Sequence, residues 1–310
     1  MATRRTVLSW LASVLALAGA LMPAAAQAPE KLKVVATFSI LGDLVRQVGG
    51  ERVEVTTLVG PNGDAHVYSP TPADGRRLME ARIVFTNGLK FEGWIDRLVT
   101  SSGTKALTVE AAKGVEGLDA READHAHGRG HDHGHGSLDP HAWQYVMNVR
   151  VYVQNIRDAL VAADPDGRDV YEANAAAYDA KLAALDREIR DLVNAIPAER
   201  RKIITSHEAF RYFEIYGIRF IAPQGTSTDA EASAKDVAII IRQIKREQVP
   251  AVFIENVSDP RLMDRISKES GAKIGAKVYS DALSEPNGPA GTYIDMMRHN
   301  IRAFSAALSR

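Results

Sequence analysis

The chain of 310 residues contains no cysteine, and its charges are almost balanced. Without cysteine there is no disulfide and no thiolate to bind a metal, so we expect a fold that is held by its core alone. The 38 basic residues are matched by 39 acidic ones, which leaves a net charge of −1 at pH 7. This balance disfavours nucleic acid and an anionic membrane surface as partners.

The longest apolar run lies near the start of the chain. Arg4 and Arg5 precede an apolar stretch at 7–21, and the alanines at 24–26 offer a cleavage site. This pattern predicts a signal peptide over 1–26 and a location in the periplasm. The paired arginines fit both Sec and Tat export, and the sequence leaves that choice open. Because no cysteine follows the cleavage site, we expect no lipid anchor.

Short β-branched runs alternate with helical patterns in both halves of the remaining chain. The predicted strands are 33–37, 53–59 and 83–86 in the first half, and 203–205, 220–221, 252–254 and 274–278 in the second. Strands separated by helices predict parallel sheets with crossover connections, which is an α/β fold.

One long helical pattern separates the two halves. Residues 168–196 include neither proline nor glycine, and apolar residues recur there at spacings of three and four. We predict a first lobe over 27–164, a linker helix over 165–196 and a second lobe over 197–310. A surface helix packed within a single domain is the alternative.

Three histidines and one aspartate stand far apart in the chain, at His66, His141, His207 and Asp281. Imidazole and carboxylate are ligands that zinc accepts. His66, His207 and Asp281 each follow a predicted strand, and in open parallel sheets binding sites form outside the carboxyl ends of the strands. We therefore predict that these residues meet, two from each lobe, around a metal in the cleft between the lobes.

The surroundings of His141 predict a helix start. Asp139 is a suitable N-cap and Pro140 a suitable first helical residue, so His141 should project from a first turn. Taken singly, a histidine or aspartate near a strand end is more often structural than a ligand.

A histidine-rich tract at 124–136 precedes His141. Its five histidines are His125, His127, His131, His133 and His135. Rich in glycine and polar residues, the tract is unsuited to a packed core. We interpret it as a weak secondary zinc site that gathers ions or receives them from a metallochaperone. The alternative, which the sequence supports equally, is that the tract is an inert solvated loop.

Several segments resemble the zinc- and manganese-binding solute-binding proteins of metal ABC importers, the cluster A-I group. The sequence DPHAW at 139–143 resembles the second ligand motif of that family, and the segments 63–74, 87–94, 206–210 and 279–283 resemble its other conserved stretches. The resemblance covers nearly the whole chain after the signal peptide. It implies two (β/α) lobes with parallel sheets joined by one long linker helix, with the metal in the inter-lobe cleft.

The resemblance also bears on the choice of metal. In this family the third ligand is histidine in many zinc binders and glutamate in manganese binders, so His207 favours zinc, in agreement with the softness of imidazole. Ala65 stands where some zinc binders place a glutamate, which leaves Asp281 as the fourth ligand. Asp64, Glu208 and Glu255 are candidates for orienting the ligand histidines.

The function implied is capture of zinc and its delivery to an ABC importer permease in the inner membrane, by a monomer without enzymatic activity. Delivery of manganese is the alternative within the same family. A periplasmic zinc hydrolase is a further alternative, but it needs an open coordination position that Asp281 would fill. Nothing in the sequence supports a third class, a metal-dependent adhesin.

Overall fold

The first half of the chain forms a four-stranded parallel sheet. A computed structural model describes residues 30–120 and 138–309. The strands are β1 (Leu32–Phe38), β2 (Val53–Val59), β3 (Ile83–Thr86) and β4 (Leu107–Glu110), in the order β2-β1-β3-β4. Residues 34–38 of β1 are all buried, as expected for a central parallel strand that is covered on both faces.

Helices connect these strands. They are α1 (Ser39–Gly49), α2 (Pro72–Glu80) and α3 (Ile95–Ser102). Strand β4 was not among the sequence predictions, and most of its residues are exposed. The expected parallel α/β architecture of this half is therefore confirmed, with one additional edge strand.

The second half repeats the same arrangement. Its strands are β5 (Lys202–Ile204), β6 (Arg219–Ile221), β7 (Ala251–Val252) and β8 (Lys273–Ile274), in the order β6-β5-β7-β8 and again all parallel. Its helices include α6 (Ala234–Glu247) and α7 (Pro260–Ser270). The strand predicted at 274–278 was wrong in extent, since β8 ends at Ile274 and Val278 makes only an isolated bridge to Glu255.

Two long helices run in succession between the sheets, α4 (Val146–Ala163) and α5 (Arg168–Asn194). The 27 residues of α5 correspond to a length of about 40 Å. The apolar residues of its buried face are Tyr171, Ala175, Tyr178, Leu182, Leu185, Ile189 and Val193. This is the predicted linker helix, and it packs against α1, α4 and the last helix, α8 (Tyr293–Leu308).

Helix α8 joins the second half of the chain to the first. The backbone N–H of Tyr293 donates to Oδ2 of Asp43 in α1 (2.8 Å), and its hydroxyl donates to the carbonyl of Trp143 (2.7 Å). One hydrophobic core extends over the first sheet, α4, α5 and α8, while a smaller core lies under β5 and β7. The described residues from Lys31 onward form one compact unit, so lobe boundaries at 164 and 197 stay a prediction.

Two predicted segments, the signal peptide at 1–26 and the tract at 124–136, lie outside the described residues. Within the ranges 30–120 and 138–309, no helix combines the length and apolar character that crossing a membrane requires.

Candidate metal centre

The four predicted ligands converge, although they are far apart in sequence. Each of His66, His141, His207 and Asp281 offers a ligand atom that lies within 4.8 Å of the others. Asp281 is central, because its carboxylate lies 3.3 Å from Nε2 of His66, 3.6 Å from that of His141 and 3.1 Å from that of His207. The first two histidines come from the first half of the chain, and the other two ligands come from the second half.

The loop after β2 presents His66. Its backbone N–H donates to Oδ1 of Asp64 (2.9 Å), and its ring packs edge-on against Phe91, with the ring centres 4.7 Å apart. Nε2 of His66 lies 3.2 Å from Nε2 of His141, so both rings direct Nε2 toward the space between the four candidate ligands.

His141 is fixed by the residue two positions before it. Oδ1 of Asp139 accepts from the backbone N–H of His141 (2.9 Å) and lies 2.8 Å from its Nδ1. The carboxylate keeps the proton on Nδ1, which leaves the lone pair of Nε2 facing the site. The predicted helix start was wrong here: residues Ala142–Gln144 form a 3₁₀ turn, and α4 begins only at Val146. His141, and not Asp139, stands at the N-cap position of this turn.

A buried amide also holds this segment. Nδ2 of Asn87 donates to the carbonyl of Pro140 (2.9 Å), and Oδ1 of Asn87 accepts from the hydroxyl of Tyr152 (2.6 Å). The backbone N–H of Asn87 donates in turn to Glu92 (2.7 Å). Sequence reasoning missed these contacts, because Asn87 and Pro140 carry no local signal that they meet.

His207 has a carboxylate of its own. Oε1 of Glu255 accepts from the backbone N–H groups of Ser206 (2.7 Å) and His207 (2.9 Å), while Oε2 lies 2.7 Å from Nδ1 of His207. His207 and Glu255 are both completely buried. Of the three acidic residues suspected from the sequence, Glu255 contacts a ligand ring and Asp64 holds a ligand backbone. Glu208 is half-buried, and its backbone N–H donates to Gly225.

The segment that carries Asp281 is held by the first half of the chain. Nε1 of Trp143 and Nε2 of Gln144 both donate to the carbonyl of Ser280, each at 2.9 Å. Neither oxygen of Asp281 accepts an aligned hydrogen bond from the described residues, although Asp281 is completely buried. A buried carboxylate usually has hydrogen-bond donors or a cation beside it.

The charges of the site are strongly coupled. Burial opposes the charged form of His207, but the carboxylates of Glu255 and Asp281 outweigh burial and hold the pKa of His207 well above its usual value. Burial likewise opposes the charged form of Asp281, but His207 and His141 hold the pKa of Asp281 well below its usual value. Three imidazole nitrogens and one carboxylate face the same small space between the four side chains. This donor set suits a divalent transition-metal ion.

The five histidines of the tract, His125, His127, His131, His133 and His135, lie outside the described residues. Their predicted role as a secondary zinc site stays a prediction.

Comparison with protein families gives one match over nearly the whole chain. Residues 34–307 match the model of the zinc-uptake complex component A, periplasmic (ZnuA). The manganese-binding lipoprotein MntA of Halalkalibacterium halodurans is 38% identical over 282 residues, which cover 91% of this chain and 90% of the relative. The manganese ABC transporter substrate-binding lipoprotein PsaA of Streptococcus pneumoniae is 32% identical, with the same coverage.

Solved structures show the same fold. The periplasmic zinc-binding protein TroA of Treponema pallidum superposes with a TM-score of 0.82 at 29% identity, covering 90% of this chain and 100% of that one. A manganese-bound mutant of a periplasmic metal-binding protein from Candidatus Liberibacter asiaticus gives 0.80 at 28% identity, with equal coverage. MntA and PsaA are both called lipoproteins, which conflicts with the expectation that this chain has no lipid anchor. This chain has no cysteine.

Proposed function

Since this chain belongs to the family of metal-binding solute-binding proteins of ABC importers, we propose that it captures a divalent metal ion with His66, His141, His207 and Asp281 and delivers it to a membrane permease. The observation that carries the proposal is the buried carboxylate of Asp281, which faces three imidazole nitrogens and has no aligned hydrogen bond from the described residues. A cation at that point would satisfy all four groups. The metal is cargo in this proposal and is released again.

Zinc is our proposal for the tighter ligand, and manganese is a second candidate for the cargo. Three imidazoles favour zinc over manganese, and the general affinity order of divalent metals also places zinc above manganese. The relatives MntA and PsaA and the manganese-bound protein of Candidatus Liberibacter asiaticus support manganese, while the matched family model and TroA support zinc. Affinity order alone does not decide the cargo, because availability in the cell also determines which ion is loaded.

A chelator-competition titration of the metal-stripped protein with Zn²⁺ and Mn²⁺ tests the site. The variant His207→Ala should lose tight binding of both ions. His299→Ala is the matched control, because His299 is half-buried and lies outside the cluster of four: its Nε2 contacts the carbonyl of Lys277, and its ring packs edge-on against Tyr279. Equal binding by the wild type and His207→Ala would contradict the assignment of the site.

The cargo is tested in cells that lack the gene for this protein. Growth should be restored in zinc-poor medium if zinc is the cargo, and in manganese-poor medium if manganese is. Restoration must depend on the ABC permease. Restoration in neither medium would contradict an importer function.

The tract at 124–136 needs a separate test. In a variant that lacks these residues, the tight site should survive, because its four ligands lie outside the tract. Unchanged zinc transfer and unchanged growth in scarce zinc would show that the tract neither gathers ions nor receives them from a metallochaperone. Loss of tight binding would place the main site in the tract and contradict our proposal.

A hydrolase is not favoured. A catalytic zinc keeps one coordination position open for water, whereas Asp281 occupies the fourth position in this arrangement. Assay of the zinc-loaded protein against ester and peptide substrates should show no turnover.

A further inference from the structure

The three histidines of the metal centre are supported unequally. Nδ1 of His141 and Nδ1 of His207 each lie within 2.8 Å of a buried carboxylate, that of Asp139 or Glu255. Among the described residues, no carboxylate lies against Nδ1 of His66. The orientation of His66 therefore depends on its packing against Phe91 and on the loop that carries it.

That loop, residues 60–66, is attached to both halves of the chain. Its contact with the first half is the indole N–H of Trp94, which donates to the carbonyl of Ala65 (2.8 Å). On the other side, the backbone N–H of Asn62 donates to the carbonyl of Leu283 (2.9 Å), close to Asp281. The second half of the chain thus helps to set the position of a ligand that belongs to the first half.

The second attachment passes through Asp64. Oδ2 of Asp64 accepts from the hydroxyl of Thr228 (2.6 Å), and Oδ1 accepts from the backbone N–H of His66 (2.9 Å). Thr228 lies in the irregular segment between β6 and α6, so this hydrogen bond crosses the cleft. One carboxylate therefore couples the second lobe directly to the backbone of a metal ligand.

From this geometry we propose that Thr228 is a positioning residue, which holds His66 in place through Asp64 and slows release of the metal. The inference rests on the proposed function. When the two lobes separate, Asp64 loses its partner, and the loop loses the attachment to the second half that lies nearest to His66; the other two, from Asn62 to Leu283 and from Asn256 to Asn62, lie farther from His66 along the loop. His66 then leaves the metal before the carboxylate-supported His141 and His207 do. The contact acts after capture, so it governs release more than association.

The test compares Thr228→Val with Thr228→Ser. Valine keeps the shape of threonine but cannot donate, whereas serine keeps the hydroxyl. Release of Zn²⁺ to excess chelator should be about ten times faster in Thr228→Val, as expected for loss of a hydrogen bond to a charged group, with the association rate changed much less. Thr228→Ser should restore slow release. A second series with Mn²⁺ should show the same order.

Thr292→Val is the matched control. The hydroxyl of Thr292 donates to Asp295 at 2.7 Å, also in the second half but at the exposed start of α8. This variant removes that hydrogen bond and also the N-cap bond that the same hydroxyl accepts from the backbone N–H of Asp295 (3.2 Å), so it disturbs the fold at least as much as Thr228→Val does. Its release rate should nevertheless equal that of the wild type. Faster release in both valine variants would indicate a general loss of stability and overturn the proposal.

The outcomes separate this inference from the proposed function. If the wild type binds neither Zn²⁺ nor Mn²⁺, the proposed function fails. If the wild type binds tightly and Thr228→Val releases the ion at the wild-type rate, only the role of Thr228 is refuted. A fall in the association rate alone would also refute it, because the contact would then act in capture.

Discussion

At the scale of single residues, the carboxylates behind the ligands make a first prediction. Asp139 holds both the backbone and the ring of His141. Asp139→Asn keeps the volume but weakens the hold on the Nδ1 proton, so metal affinity should fall by about ten- to a hundredfold. Chelator competition measures the change, and the exposed Asp169→Asn serves as control. An unchanged affinity would mean that the ring needs no support from Asp139.

Glu92 makes a second prediction at this scale, concerning pH. Complete burial raises its pKa to about 7, although the backbone N–H of Asn87 and the hydroxyl of Thr37 donate to its carboxylate. Between the ordinary pKa of 4.5 and 7, the folded protein keeps a proton that the unfolded chain has lost. The free energy of unfolding therefore falls as pH rises through this window, by about 3 kcal/mol in all.

Glu92→Gln removes this titration. Urea unfolding of the metal-free protein at a series of pH values should show a smaller decline between about pH 4.5 and 7 in the variant than in the wild type. The exposed Glu80→Gln should decline like the wild type. Parallel curves for the wild type and Glu92→Gln would show that Glu92 is ionised throughout the range.

The convergence of the four candidate ligands could be predicted from the sequence, whereas the contacts that support them could not. His66, His207 and Asp281 follow strands, and parallel strands bring their ends to one edge, so local patterns and topology suffice for them. The hydrogen bond from Asn87 to Pro140 joins residues 53 positions apart, and its existence depends on packing that no local pattern encodes.

At the scale of elements, the junction between α4 and α5 makes a third prediction. Arg52 and Tyr171 both bond to the carboxylate of Asp164, and a Cβ added at Gly167 would lie 2.5 to 2.6 Å from atoms of all three side chains. Gly167→Ala should therefore lower the free energy of unfolding by about 1 to 3 kcal/mol. Gly93→Ala is the control, since a Cβ there has nothing within 4 Å. Equal stability of the two variants would show that the cluster adjusts without cost.

The elements also differ in how far the sequence predicts them. Helix α5 was predicted because its apolar stripe persists over many turns without proline or glycine. Strands β7 and β8 have only two residues each, so their extent is set by pairing with β5 and with each other rather than by local preference. The turn at 142–144 is 3₁₀, and α4 begins only at Val146, although the sequence around Asp139 and Pro140 favours a helix start.

At the scale of the whole molecule, metal binding should stabilise the fold. A ligand that binds only the folded state adds about 4 kcal/mol to the free energy of unfolding when its free concentration is a thousand times its Kd. The raised pKa of His207 means that the metal must displace a proton there, so stabilisation should shrink as pH falls. Calorimetry with and without Zn²⁺ measures this effect. His207→Ala should show almost none, and an equal increase in that variant would place the stabilising metal elsewhere.

The attachment of α8 to the first half has a consequence for biosynthesis. Tyr293 completes contacts with Asp43 and Trp143, yet α8 is made after every other helix of the fold. A growing chain that lacks α8 leaves part of the apolar surface of α1 and α5 uncovered. Packing of its first half is therefore incomplete until α8 has been synthesised. The core of the first half is therefore completed only when the last helix of the described chain has been added.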